Sequence, residues 1–240
     1  MINKPKLLQK SKFFFKHLNY LFFNQKIMLS KVSLNIFNKT IFLNAHVYFL
    51  VSLEKGDQIN YLNKVNNKIN NFIIKQFSLF DVNNIKLKIF NLNKKIKRNK
   101  VKEIYLKFKK FERMIFLQRT DLFLNFLNIC YLVLVKKISI NCYLILLSKL
   151  FVRLTKREHS KFFIFLKFLI NWSLDNKIVK KIRGIKFIIN GRLKGKPRSS
   201  SFKFIKGNVP CQSIISNIKY SHMHAYNRYG AFGLKLWINY

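Results

Sequence analysis

The sequence predicts an α+β protein of more than one domain beneath a strongly basic surface. Residues 32–36 and 85–89 alternate apolar and polar side chains, as half-buried strands do. A long apolar stretch from about 121 to 182 is typical of packed helices. Six of the seven glycines come from Gly184 onward, where we expect short strands joined by turns. At 240 residues the chain can form one large domain or two modest ones.

The N-terminal elements follow in order. Residues 1–28 mix lysines with clusters of phenylalanine and predict a helix against the core or a nucleic acid. Strands are expected at 32–36, at 39–44 and, fully buried, at 47–52. A helix should follow Gly56, because its apolar residues are spaced by three and four: Ile59, Leu62, Val65, Ile69 and Ile73.

The middle of the chain is basic first and apolar afterwards. Residues 94–119 hold eleven Lys or Arg against Glu103 and Glu112. Such a run is usually a solvated helix face, but an excess of nine cations favours phosphate contact. Strands are then predicted at 186–190, 214–220 and 233–240. In the last of these, one face should carry Leu234, Leu236 and Ile238, with Trp237 in the core.

The charge balance points to a polyanionic partner. Lys and Arg number 47 against 8 Asp and Glu, a net charge of +39. A free compact protein with that excess would repel itself strongly, so nucleic acid is the expected partner. Because half of the residues are hydrophobic, a disordered basic tail is excluded.

Catalysis is not expected from this sequence. Its acids are scattered without a clustered pair, whereas nuclease metal sites and acid–base dyads need converging carboxylates. The eight are Glu54, Asp57, Asp81, Glu103, Glu112, Asp121, Glu158 and Asp175. A maturase or homing nuclease is disfavoured for this reason, and no cofactor or small-molecule substrate is implied.

No metal site or disulfide framework is predicted either. The three cysteines, Cys130, Cys142 and Cys211, lack CxxC spacing and are expected to be free thiols. His222 and His224 would share one face of a strand, but no third ligand lies nearby, so RNA contact or packing is favoured.

The composition suggests an AT-rich gene. Lys, Ile, Asn and Phe make up half of the chain, and Lys outnumbers Arg by 38 to 9. This bias favours an organellar genome, with an AT-rich bacterium as the alternative. The first 30 residues lack Arg and make a poor transit peptide, which fits a protein made where it is used.

A membrane-associated organellar protein anchored by residues 122–152 is the rival interpretation. Its most apolar stretch, 122–135, ends at Lys136 and falls short of the ~18–20 apolar residues that a spanning helix needs. No membrane span is therefore predicted.

The C-terminal motifs resemble a known family. They are G-I-K-F-I-I-N-G-R-L-K-G at 184–195, G-N-V-P at 207–210, I-K-Y at 218–220 and Y-G-A-F-G-L-K-L-W-I at 229–238. In this order they resemble the C-terminal domain of small-subunit ribosomal protein S3. The resemblance implies an α/β domain at 151–240 that binds rRNA in the head of the subunit, near the mRNA entrance.

The N-terminal part is similar to the family's prokaryotic-type KH domain, in which a strand leads into a G-x-x-G loop and a helix. The matching passages are 41–45, 50–56 and 57–65. Leu53 replaces the first loop glycine and only Gly56 remains, so we expect a degenerate, mainly structural KH domain. The implied organisation is an N-terminal extension and KH-like domain at 1–93, a basic helical insertion at 94–150 and the S3 domain.

The resemblance also implies a basic helix that lines the mRNA entrance, for which residues 160–168 are the candidate. If Phe162 and Lys167 occupy the family's Phe and Lys positions, its paired arginines are here Phe163 and Ile164. The remaining cations assigned to the mRNA entrance are Arg157, Lys161 and Lys167.

The other predicted site residues are candidates for rRNA contact. Four cations project from a turn that Gly195 and Pro197 keep out of a helix. Arg228 and Tyr229 offer a guanidinium and a ring for stacking on bases. The full set is Arg192, Lys194, Lys196, Arg198, Lys203, Lys206, Arg228, Tyr229, Lys55 and Gly56. Expected partners are small-subunit rRNA, mRNA and neighbouring head proteins, in the mitochondrial matrix.

Overall fold

The structure is a computed structural model that describes residues 20, 22, 26–37, 40–50, 67, 84–96, 98–115, 120–175, 182–195 and 200–240. Contacts divide the chain into two units, residues 1–95 and 96–240. The division into domains at 93 and 150 stays a prediction.

The first unit contains a three-stranded sheet of mixed direction. Its strands are β1 (Ile27–Phe37), β2 (Thr40–Phe49) and β3 (Asn84–Asn91). They lie in the order β1-β2-β3, with β1 antiparallel and β3 parallel to β2. In β2, alternate residues point into the core and are buried: Leu43, Ala45 and Val47. The two strands predicted at 39–44 and 47–52 are one strand that ends at Phe49.

Asn93 closes this sheet. Its side chain accepts a hydrogen bond from the Phe49 N–H at 3.0 Å and donates one to the Phe49 carbonyl at 3.0 Å. The end of β2 is thereby tied to the chain that leaves β3. The predicted KH loop and the helix after Gly56 lie outside the described residues, apart from residue 67, so the KH assignment stays a prediction.

Within the described residues, the second unit begins with four helices: α1 (Arg98–Ile115), α2 (Thr120–Leu134), α3 (Ile140–Arg153) and α4 (Glu158–Asp175). The basic run predicted as a helix face is α1. Its buried residues recur at helical spacing, and they are Val101, Ile104, Phe108 and Glu112. Glu112 is only 5% exposed, and it accepts a hydrogen bond from the Tyr105 hydroxyl at 2.8 Å. The lysines of the opposite face are exposed: Lys102, Lys107, Lys109 and Lys110.

Aromatic rings from three helices meet around Phe165 of α4. This side chain is fully buried. Its ring centroid lies 5.9 Å from that of Phe108 in α1 and 5.7 Å from that of Phe126 in α2. Phe111 and Phe123 approach it to 5.3 and 6.4 Å. Five phenylalanines from α1, α2 and α4 therefore build this core.

A four-stranded antiparallel sheet covers the helices. It consists of β4 (Gly184–Gly191), β5 (Ser200–Gly207), β6 (Ile218–Asn227) and β7 (Gly230–Asn239). The order is β5-β4-β7-β6, so β7 lies between β4 and β6. Strand β5 was not predicted, and β6 begins four residues later than the predicted Ile214.

One face of this sheet packs on the helices, and its residues are those that strand periodicity selects. Leu234, Leu236 and Ile238 are all buried there, as predicted. The Ser221 hydroxyl hydrogen-bonds to Asn141 of α3, which ties β6 to the helical layer. The prediction for Trp237 was wrong: it alternates with the buried residues and lies on the opposite, outer face.

None of the described helices has the length and apolar character that crossing a membrane requires. Residues 122–152 form parts of α2 and α3, and most of their side chains are buried within the second unit.

Candidate nucleic-acid interface

The predicted basic turn leaves the end of β4 at residues 191–195. Leu193 is buried, whereas its neighbours Arg192 and Lys194 are exposed. Lys194 takes a left-handed backbone conformation, with φ of 55°. The Ser200 hydroxyl accepts a hydrogen bond from the Leu193 N–H at 3.2 Å and donates one to the Gly191 carbonyl at 3.1 Å. This turn is therefore fixed to the start of β5, and it presents two cations in a defined position.

A buried histidine of α4 is hydrogen-bonded to the turn at residues 191–195. His159 of α4 is fully buried, and its Nδ1 accepts a hydrogen bond from the Lys194 N–H at 3.4 Å. Its ring stacks on Phe151 at 4.8 Å. Because Nδ1 accepts, the ring must be the neutral form with its proton on Nε2. Burial lowers the pKa of His159, although the negative charge of Glu158 acts in the opposite direction.

This histidine makes the stability of the second unit depend on pH. Its pKa is lowered on folding, so the unfolded chain takes up the proton first as the pH falls. Neutral His159 therefore contributes fully to the free energy of unfolding above its pKa in the unfolded chain, which is about 6.5. This contribution is lost as the pH falls toward the lower pKa of the folded chain. We expect the free energy of unfolding of the wild type to drop over this window.

His159→Gln is the control, because a glutamine side chain retains an acceptor and does not titrate. Denaturant midpoints of both proteins should be compared on either side of pH ~6.5. The difference between the midpoints of the wild type and the His159→Gln variant should be smaller at the lower pH. A difference that is the same at both pH values would show that the pKa of His159 is the same in the folded and the unfolded chain, which would contradict the prediction.

The two lysines of β5 lie on opposite faces, because strand side chains alternate. Lys203 is exposed on the outer face. Lys206 points toward α4, where its Nζ lies 2.6 Å from Oδ1 of Asp175. The expectation that both extend one basic edge is wrong for Lys206, whose charge is neutralised by the last acid of the sequence.

Arg228 and Tyr229 form the turn between β6 and β7. Arg228 is exposed, and its N–H donates to the Asn227 side chain at 2.6 Å. The Asn227 amide in turn donates to the Leu154 carbonyl at 3.3 Å, which anchors the turn to the helices. Lys156 Nζ lies 4.7 Å from the centroid of the Tyr229 ring. One face of that ring is thus occupied by a cation, and only the other could stack on a base.

The residues predicted for the mRNA entrance lie at and along α4. Arg157, Lys161 and Lys167 are all exposed. Phe163 is buried, and its ring stacks on Phe202 of β5 at 4.4 Å. Ile164 is 61% exposed. The positions that the family resemblance assigns to paired arginines thus hold one residue that packs against the sheet and one exposed apolar side chain.

Four predicted residues cannot be placed. Lys55, Gly56, Lys196 and Arg198 lie outside the described residues. The structure therefore brings together two of the four cations of the predicted turn, and it leaves the KH loop undescribed.

The described residues include no cluster of three metal-ligating side chains. His222 and His224 share the outer face, as predicted, with ring centroids 6.0 Å apart. Cys130 and Cys142 are buried and Cys211 is exposed. Burial raises the pKa of the Cys130 thiol to about 12, so this cysteine is inert at neutral pH.

Sequence reasoning missed the outer face of the second sheet as a surface. It carries Tyr220, Tyr226 and Trp237 beside Lys186, Lys203 and Lys235. The signal was present in β6, where aromatic and imidazole rings recur at every second position from 220 to 226. That run was interpreted one residue at a time rather than as a strip.

Comparison with known proteins agrees with the C-terminal motifs. The family model described as "Ribosomal protein S3, C-terminal domain" matches residues 166–238. "Small ribosomal subunit protein uS3" of Borrelia duttonii is 39% identical over 70 residues, 29% of this chain and 25% of that protein.

Two other relatives match to a similar extent. The protein of the same name from Thermosipho africanus is 36% identical over 66 residues, 28% of this chain and 32% of the relative. "Small ribosomal subunit protein uS3c" of Euglena longa is 35% identical over 71 residues, 30% of this chain and 32% of the relative. The chain therefore spans about a quarter to a third of the length of these curated relatives.

The matched residues begin within α4 and end within β7, so they include all four strands of the second sheet. They also include the G-R-L-K-G turn and the Gly207–Pro210 loop. Residues 166–238 of the chain are therefore similar to the C-terminal domain of ribosomal protein S3.

Proposed function

We propose that this chain is a structural constituent of the small ribosomal subunit, where it binds rRNA in the head near the mRNA entrance. The S3 C-terminal domain carries the proposal. The charge supports it: after Asp175 the chain has fourteen Lys or Arg and no acid. The S3 family is structural rather than enzymatic, and the proposal needs no cofactor and no small-molecule substrate.

Within this function, cations of the second unit would neutralise and position RNA helices. The turn at 191–195 offers Arg192 and Lys194, and Lys196 and Arg198 follow it in sequence. Lys203 and Arg228 add exposed charges to the same domain. We leave Lys206 out of the RNA contacts because Asp175 pairs with it.

The mRNA entrance is proposed to run past α4. Its exposed cations, Arg157, Lys161 and Lys167, would contact the phosphates of the incoming strand. Since the family's arginine positions hold Phe163 and Ile164, we propose that this chain guides mRNA with less positive charge than its relatives have there. The N-terminal unit would act as a degenerate KH domain, in which Lys55 and Gly56 approach an rRNA phosphate.

The proposed location is the mitochondrial matrix, among the neighbouring proteins of the subunit head. The AT-biased composition supports an organellar gene.

Fractionation of organelle lysate on sucrose gradients, with and without dissociating concentrations of magnesium, tests the function directly. Co-migration of the chain with the small subunit in both conditions is expected. Migration with membranes, or at the top of the gradient, would contradict it.

The basic turn should contribute measurably to the salt dependence of rRNA binding. Replacing Arg192, Lys194, Lys196 and Arg198 with Ala should flatten the log–log salt slope by up to about 0.9 per lost phosphate contact, with duplex DNA as the guide. Lys206→Ala is the matched control: it also removes a lysine, but one that Asp175 already neutralises, so the slope should not change. An unchanged slope in the fourfold variant would mean that the turn faces solvent.

A further inference from the structure

Of the outer face of the second sheet, the RNA contacts proposed above use only Lys203. Four strands contribute to this face, and the residue pairs across them define rows. One row runs Ile205, Lys186, Trp237 and Tyr220, and the next runs Lys203, Ile188, Lys235 and His222. The face opposite the helices thus combines lysines and aromatic rings with two isoleucines.

Aromatic rings form a continuous strip along β6. Tyr220 contacts Trp237 at 4.8 Å between ring centroids and stacks near His222 at 5.8 Å. His222 and His224 lie 6.0 Å apart, and Tyr226 follows at 6.5 Å. Tyr220 is 49% exposed and Tyr226 72% exposed, so a large part of each side chain is accessible to a ligand. Edge strand β6 therefore presents one ring every two residues.

The charge of this face is entirely positive. Lys186, Lys203 and Lys235 are its ionisable cations, and the four strands contain no acid because Asp175 precedes them all. The Lys186 ammonium lies 5.1 Å from the Trp237 ring centroid, beside the strip. A protein partner without acids would be repelled here, whereas RNA supplies both phosphates for the lysines and flat bases for the rings.

We propose that this outer face is a stacking platform for unpaired nucleotides of RNA, with Tyr220, Tyr226 and Trp237 stacking on bases and the three lysines holding the phosphates. The inference rests on the proposed function, which supplies RNA as the partner, and adds the mode of contact. Duplex RNA buries its base faces in stacking, so only single-stranded segments, loops or bulges fit this surface.

Binding of the full chain to a single-stranded oligouridylate, compared with an RNA duplex of equal length, tests the platform. Tyr220→Leu/Tyr226→Leu should weaken single-strand binding by roughly five- to a hundredfold for each ring in contact. Duplex affinity and the log–log salt slope should stay unchanged, because no cation is lost. Tyr220→Phe/Tyr226→Phe is the matched control and should bind like the wild type, since the rings remain.

Trp237 supplies a second readout that does not depend on affinity. In a Trp172→Phe background it is the single tryptophan of the chain, and stacking of a base on its ring should quench its fluorescence. Wild-type affinity of the leucine variant, or single-strand binding without quenching, would overturn the platform.

The outcomes separate this inference from the proposed function. A leucine variant that still co-migrates with the small subunit and binds single strands as the wild type does would refute the platform alone. A wild-type chain that fails to co-migrate would refute the proposed function instead.

Discussion

Replacing Phe165 with Ala is expected to lower the free energy of unfolding of the second unit by about 3–5 kcal/mol. The side chain is fully buried and lies within 6.4 Å, between ring centroids, of Phe108, Phe111, Phe123 and Phe126. Its removal would leave a cavity between α1, α2 and α4. The surrounding rings are flat and rigid, so they can fill that cavity only in part.

Urea denaturation followed by far-ultraviolet circular dichroism would measure the loss. Ile164→Ala is the matched control: it alters the preceding residue of the same helix, but Ile164 is 61% exposed, so the change should stay within about 0.5 kcal/mol. Equal midpoints for the two variants would mean that the three helices do not share one core.

Gly207→Ala is expected to be nearly as damaging, at roughly 2–5 kcal/mol, because strain and overlap add. Gly207 ends β5 with φ of 75°, a left-handed conformation that side chains disfavour. A Cβ at this position would lie 2.3 Å from the carbonyl oxygen of Arg183. That atom belongs to the backbone beside β4 and accepts a hydrogen bond from the Asn208 N–H, so it cannot move without breaking the contact.

The damage should spread to three strand ends. Asn208 follows Gly207, and its carbonyl accepts a hydrogen bond from the Asn239 side chain at the end of β7. The Arg183 N–H donates to the Asn239 carbonyl at 2.9 Å. The glycine of the G-N-V-P motif thus permits a junction of β4, β5 and β7.

Gly233→Ala provides the comparison for this prediction. Gly233 also lies in the sheet, but a Cβ there meets no atom within 4 Å and its φ is not left-handed. Its replacement should change stability by no more than about 0.5 kcal/mol. The same denaturation experiment applies, and a Gly207 variant as stable as the Gly233 variant would contradict the junction.

Periodicity predicted the parts of the fold that a single strand or helix determines. The alternation of Leu234, Leu236 and Ile238 predicted their common burial, and the same rule places Trp237 outside. Trp237 was assigned to the core because its neighbours are apolar. That assignment relied on the type of the neighbouring side chains and not on the position of Trp237 in the strand. In a strand, position decides the face.

Strand β5 was missed because its pattern is mixed. Phe202 and Phe204 alternate with Lys203, but Ile205 then faces outward and Lys206 inward, which reverses the apolar and basic positions. The ion pair with Asp175, 31 residues away, explains the inward lysine. A sequence contains no direct record of such a pair.

For the candidate site, the sequence predicted which residues would carry the charge, but not which contacts would hold them in place. Glycine and proline marked the turn at Arg192 and Lys194, and the structure exposes both cations. The support from His159, 35 residues earlier, was not predictable, because it depends on how α4 crosses beneath the turn. Long-range contacts of this kind arise only from tertiary packing.

The strand order has a consequence for synthesis of the protein. Strand β6 pairs with β7 and with no other described strand, and β7 is the last of the four to be translated. During translation, the β4–β5 hairpin and β6 therefore cannot pair with each other until β7 is made. Each of them has an unpaired edge until then. A nascent chain halted before Gly230 would lack the strand that joins them. The domain is thus completed in one late step, and chaperone protection would matter most just before that step.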